Sequence, residues 1–184
     1  MEISQALKDK GVTCHLPRSL DIHDAAVEDG ETYEDNATKK ARHCFEQSNK
    51  MPTLADDSGI IVEALQNELG VYTRRWGAGP EASDDQWIAF FLDRMRSEQN
   101  KRARFVCAMC FIDDKGEEHL FEGSCDGTIT DELQADFLPG LPISACFRPD
   151  GYEKVYSALS VTEKNIVSHR GKALQAFIKF FTHA

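Results

Sequence analysis

Asp56 and Asp57 stand side by side, followed by Ser58 and Gly59, between two apolar runs, Pro52-Thr53-Leu54-Ala55 and Ile60-Ile61-Val62. Adjacent carboxylates repel, so they persist best beside a cation or where one of them accepts a proton. Gly59 lets the chain turn tightly or lets a ligand approach the backbone. The plain alternative is a solvated Asp-Asp-Ser-Gly turn. A second group with chemical potential is Ser168-His169-Arg170, which opens a helix. Cations in a first helical turn oppose the macrodipole, and an anion bound there by the free N–H groups and both side chains reverses the sign. A third is Arg74-Arg75, set between Tyr72 and Trp76 with Gly77 and Gly79 close by. Arginine forks match phosphate oxygens and glycines admit close approach, while the alternative is a surface loop that packs Trp76 into the core.

These residues need elements to hold them. The stretch 52–62 reads as a strand ending in a polar cluster, the arrangement that faces ligand crevices in α/β proteins. Residues 2–10 place Ile3, Ala6 and Leu7 on one helical face, with Gly11 as the terminator, and Val12 to Leu16 reads as a short strand. A domain of this class that opens on a helix reads as though a first strand were missing. Asp24 to Glu34 is an acidic loop with a turn at Asp29-Gly30. Thr32 with Asp35 then starts a helix to about Asn49, carrying Lys39 and Lys40. Lys39 suits a charge-balanced solvent face. Ser83 with Gln86 caps an amphipathic helix that ends near Asn100. Residues 103–112 and 117–125 form a hairpin, with a third strand expected near Gly127 to Thr130. The segment 138–147 is irregular, since Pro139 and Pro142 exclude a helix interior. Ser160 with Glu163 caps a short helix. The final helix has a buried stripe of Ala173, Leu174, Phe177, Ile178 and Phe181.

With 184 residues the chain fits a single domain, 1–184, with a real core. The formal net charge of −10 and the absence of any basic block disfavour a nucleic acid polymer, whereas a small anion held by local cations and a metal is compatible. With no apolar run of membrane length and no basic-then-apolar start, a membrane role is not expected and a cytoplasmic location is. Cys107 and Cys110 have a metal-like spacing, but on a strand they face opposite ways and read as buried, reduced thiols.

Five stretches together carry a family resemblance. They are Gly30-Glu31-Thr32-Tyr33-Glu34-Asp35-Asn36-Ala37-Thr38-Lys39-Lys40-Ala41-Arg42, Ala55-Asp56-Asp57-Ser58-Gly59-Ile60, Val71-Tyr72-Thr73-Arg74-Arg75, Phe147-Arg148-Pro149-Asp150-Gly151-Tyr152, and the run from Glu163 to Leu174. In this order and spacing the chain resembles the inosine/xanthosine triphosphate pyrophosphatases, which cleave non-standard purine nucleoside triphosphates (ITP, dITP, XTP) to the monophosphate and pyrophosphate with Mg²⁺. The resemblance implies an α/β fold in which a long mixed, twisted sheet is flanked by helices and divides into two lobes with a central cleft. It also implies a homodimer. Asp57 matches the catalytic carboxylate that holds Mg²⁺ and activates water. Asp56 is its neighbour in the metal group, and Ser58 matches a substrate contact. Lys40 matches the phosphate-binding lysine, and Lys164, Ser168, His169 and Arg170 match the nucleotide grip. Arg75 falls where members often carry a cation. The second metal carboxylate lies just upstream of the glycine matched by Gly30. Strict spacing gives Val27, so Glu28 beside it is the candidate.

The chain departs from the family pattern in two places. The family's first strand and its Thr/Ser-x-Asn-x-x-Lys phosphate loop have no counterpart, and its base-binding Phe-Gly-(Tyr/Trp)-Asp-Pro reads Leu141-Pro142-Ile143-Ser144-Ala145. Altered base preference is therefore expected. Two other readings stay open: a nucleotide-binding or inactive derivative of the family, and a hydrolase of a modified pyrimidine nucleotide whose base pocket Ile143 and Ser144 would shape.

Overall fold

The computed structural model describes residues 7–8, 10–66, 68–71, 76–79 and 81–183. Four α-helices are described: α1 (Tyr33–Gln47), α2 (Asp84–Met95), α3 (Val161–Val167) and α4 (His169–Phe181). With them are the strands β1 (Thr53–Val62), β2 (Arg102–Ile112), β3 (Glu118–Ile129) and β4 (Phe147–Pro149). The architecture is α/β, a four-stranded antiparallel sheet of order β1-β2-β3-β4 flanked by helices. No described helix is long and apolar enough to cross a membrane.

Local chemistry accounts for the helix starts. Thr32 Oγ1 accepts from the Asp35 N–H at 3.0 Å, and Glu34 and Asp35 lie in the first turn of α1, where they complement the helix dipole. Ser83 with Gln86 and Ser160 with Glu163 form reciprocal capping boxes at α2 and α3. In α1 the buried residues Tyr33, Asn36, Ala37, Ala41 and Phe45 recur at helical spacing, and one of them is polar.

By their contacts the residues divide into two compact units. One comprises 1–58, 107–123 and 169–184, and the other 59–106 and 124–168. The backbone passes from one to the other at 58/59, 106/107, 123/124 and 168/169, and the first three passages lie inside β1, β2 and β3. In the first unit Cys107, Met109 and Phe111 of β2 pack with Leu7 and with Ala173, Leu174 and Phe177 of α4, and Ile178 and Phe181 join the periphery. The stripe expected of the last helix is the one it uses. The second unit packs Ile60, Val62, Trp87, Phe91, Phe105 and Phe147 together, with the Phe105 and Phe147 rings 4.5 Å apart. Trp76 leans edge-on against Trp87, Phe90 and Phe91, as the core-packing reading of its loop required.

Three expectations need correction or placement. Val12 to Leu16 is not a strand but mostly exposed loop leading into a 3-10 turn at Pro17–Leu20. A short alternating run gives a strand only where a neighbour pairs with it. The separate strand expected at Gly127 to Thr130 is the continuation of β3. Gly127 does not break it but gives room: a Cβ there would lie 2.5 Å from the Arg148 carbonyl oxygen and from the Phe147 ring. This allows β4, which overlaps the segment read as irregular only at Phe147, to pair through Gly127 with Pro149 and Ile129 with Phe147. Of the helix expected at 2–10, only residues 7 and 8 lie among the described helical residues.

Candidate active site

The strand does not end at its polar cluster as expected: β1 runs on through Asp56, Asp57, Ser58 and Gly59 to Val62 and divides the cluster by parity. Successive side chains of a strand point to opposite faces, and the partners follow that rule. On one side Asp57 Oδ1 accepts from Lys40 Nζ at 2.8 Å, and Asp57 Oδ2 accepts from Asn36 Nδ2 at 3.3 Å, both donors on α1. On the other side Arg170, in the first turn of α4, donates to Asp56 Oδ2 through Nε at 3.0 Å and Nη2 at 2.8 Å. Its Nη2 also reaches Ser58 Oγ at 3.2 Å.

The Asp57 side is a small charge network. Lys40 Nζ also lies 3.3 Å from Glu28 Oε2 and donates to the Asp56 carbonyl oxygen at 3.2 Å. Glu28 and Asp57 thus flank one ammonium. Burial disfavours the Lys40 charge, yet the two carboxylates more than offset it and hold its pKa above the usual lysine value. Lys39, one residue away, turns outward to Asp29 at 2.5 Å, a solvent-face pair as expected. Asn36 is 2% exposed, and its Oδ1 accepts from the Gly30 N–H at 2.8 Å. This residue was missed from the sequence. The available signal was its polarity on the stripe of buried Tyr33, Ala37, Ala41 and Phe45.

The Asp56 side borders a cavity of about 1150 Å³ whose walls include Leu54, Phe111, Phe177 and His15. Cys107, buried on β2, lies against Asp56 with its thiol 3.9 Å from Oδ2. Burial first, and then the Asp56 charge, push that thiol up to about 12. All six cysteines are free thiols. Burial of Arg170 is outweighed by Asp56, so its pKa is raised.

His169 differs from the picture of a cationic first turn. It is 6% exposed, and burial, with the Arg170 and Lys172 charges, lowers its pKa from 6.5 to about 3. The imidazole is neutral at physiological pH, so of the pair only Arg170 carries charge. α4 can begin here because β3 offers no side chain at Gly123. A Cβ at that position would sit 2.1 Å from the His169 carbonyl oxygen and 2.5 Å from the Ala173 nitrogen.

The remaining candidates are placed separately. Lys164 lies in α3 and donates to the Ser157 carbonyl oxygen at 2.8 Å, and Ser168 is the C-cap of that helix. Arg75 lies outside the described residues. Pro142, Ile143, Ser144 and Ala145 form a buried 3-10 turn, and Ser144 Oγ accepts from the Leu138 N–H at 3.0 Å. Ile143 and Ser144 are therefore committed to the core and to holding the turn at Leu138–Leu141.

The model of the Ham1 family matches residues 1–180. The chain belongs to the Ham1 family. It is 36% identical over 179 residues to a dITP/XTP pyrophosphatase of Leptospira interrogans, covering 97% of this chain and 89% of that protein. With the dITP/XTP pyrophosphatase of Gluconobacter oxydans the identity is 38% over 181 residues, covering 96% and 83%. Among solved structures, the HAM1 protein from Coxiella burnetii superposes with a TM-score of 0.89 at 27% identity, covering 99% of this chain and 92% of that one. The Ham1 protein of Staphylococcus aureus gives 0.81 at 29% identity, covering 91% and 84%. The long motif around Asp56 and Asp57 is thus part of a Ham1 fold, and its two carboxylates serve two different helices within it.

Proposed function

We propose that this Ham1 chain is a nucleoside-triphosphate pyrophosphatase that hydrolyses non-standard purine nucleoside triphosphates such as dITP, ITP and XTP to the monophosphate and pyrophosphate. The observation that carries the reading is Lys40 held between Asp57 and Glu28 at 2.8 and 3.3 Å, with Arg170 on the other face of the same strand. The names of the dITP/XTP pyrophosphatase relatives support the same reading.

In this reading Asp57 is the general base. It accepts a proton from the attacking water, while Lys40, Arg170 and the N–H groups at the start of α4 take up negative charge on the phosphates. Arg170 exchanges part of its hold on Asp56 and Ser58 for phosphate oxygens. Asp57 and Glu28 are hard oxygen donors that already gather about one positive charge, a donor set that suits Mg²⁺. When bound there, Mg²⁺ supplies charge neutralisation for an anionic substrate approaching an acidic site. Asp56, turned to Arg170, serves the metal only through its neighbour. Neutral His169 offers one N–H donor, a match for a purine carbonyl oxygen. The family resemblance assigns Lys164, Ser168 and Arg75 to the nucleotide as well. The enzyme works in the cytoplasm as a homodimer.

The test is pyrophosphate release from ITP, dITP, XTP, GTP, ATP and the pyrimidine triphosphates with Mg²⁺. Turnover of the non-standard purines in preference to ATP and GTP is expected, and Asp57→Asn should lower it by about 10²-fold or more. Nucleotide binding without turnover would replace this reading with that of a binding protein.

A further inference from the structure

Asn36 has both ends of its amide committed. Its Oδ1 accepts from the Gly30 N–H at 2.8 Å, and its Nδ2 donates to Asp57 Oδ2 at 3.3 Å. Gly30 belongs to the loop that carries Glu28, two residues before it. One side chain, 2% exposed, therefore links that loop to β1. The approach depends on the glycine, because a Cβ at 30 would stand 2.7 Å from Asn36 Oδ1 and 2.7 Å from Asp35 Cβ. The bond to Asp57 Oδ2 also fixes the carboxylate plane, leaving Oδ1 for Lys40.

We propose that Asn36 is a positioning residue that holds the Glu28 loop and the Asp57 carboxylate in register, so that the two carboxylates converge on one point of positive charge. The inference rests on the pyrophosphatase reading for its activity readout and on the geometry alone for its binding readout. The amide suits the task because it must accept at one end and donate at the other. A carboxylate of the same shape can accept from Gly30 but cannot donate to Asp57, and it would place like charges together. A purely structural Asn36 needs only the Gly30 bond and tolerates that change.

The experiment compares wild type with Asn36→Asp, Asn36→Ala, Gly30→Ala and the Asn36→Ala/Gly30→Ala pair. For Asn36→Asp we expect a folded protein with a Tm lowered by the like-charge contact, kcat lowered by at least about tenfold and the nucleotide KM changed by less than about threefold. Recovery of wild-type kcat by Asn36→Asp would overturn the proposal. Without substrate, Mn²⁺ binding measured by calorimetry should weaken at least about fivefold in both Asn36→Ala and Gly30→Ala. The double variant should be no weaker than the singles, because both remove one link. Additive losses, or undiminished Mn²⁺ affinity in folded Asn36→Ala, would also overturn it. A wild-type chain that binds Mn²⁺ with this coupling but cleaves no triphosphate would sink the pyrophosphatase reading and leave the positioning role intact.

Discussion

His169 shows how one residue's surroundings can reverse the role its type suggests. The imidazole at the head of α4 is buried against the positive charges of Arg170 and Lys172, and it stays neutral down to about pH 3. In the unfolded chain it titrates near 6.5. Between those values the unfolded state binds a proton that the folded state does not, so stability falls as pH falls through that window. The slope for one group approaches about 1.4 kcal/mol per pH unit. Chemical denaturation at pH 6.5 and pH 4.5 should therefore show wild type losing on the order of 2 kcal/mol more than His169→Gln. Parallel losses in the two proteins would mean that the ring is protonated in the folded state. The same scale explains why motif reading singled out Asp57, Lys40 and Arg170 but passed over Asn36. Charged residues advertise themselves by type, whereas a buried amide is recognised only once its two partners, Gly30 and Asp57, are placed around it.

At the level of elements, the helix starts were legible because Thr32, Ser83 and Ser160 cap locally through residues three positions on. The sheet was less so. Whether Val12 to Leu16 pairs, and whether Gly127 ends a strand or lets another cross it, depends on what lies alongside. Gly123 is the sharpest case. Its backbone is not in the left-handed region, so alanine costs nothing there in conformation. The obstacle is space, because the added carbon would meet the backbone of His169 and Ala173. Backbone cannot rotate away as a side chain does. Gly123→Ala should cost on the order of 3 kcal/mol by thermal or urea denaturation. It should also move the first turn of α4, loosening Arg170 from Asp56 and raising the KM for a triphosphate substrate. A variant with unchanged stability and KM would show that α4 is not seated on β3 at this point.

For the whole molecule, the two contact-defined units are threaded by one backbone that passes between them four times, three of those times within a strand. Opening either unit alone would break β1, β2 and β3 partway along their length. Calorimetry should accordingly give one transition with equal van't Hoff and calorimetric enthalpies, and hydrogen exchange in Phe105 and Phe177 should converge on one opening free energy. Two resolved transitions would contradict this. The threading also bears on how such a chain can change over generations. Neither unit corresponds to a continuous stretch of coding sequence, so a single recombination crossover cannot exchange one and keep the other. A hybrid of two relatives joined within β2 or β3 would have mixed parentage in both cores at once. Such a protein has to be inherited, duplicated or replaced as a whole, and the substitutions that reshape one unit accumulate beside those of the other.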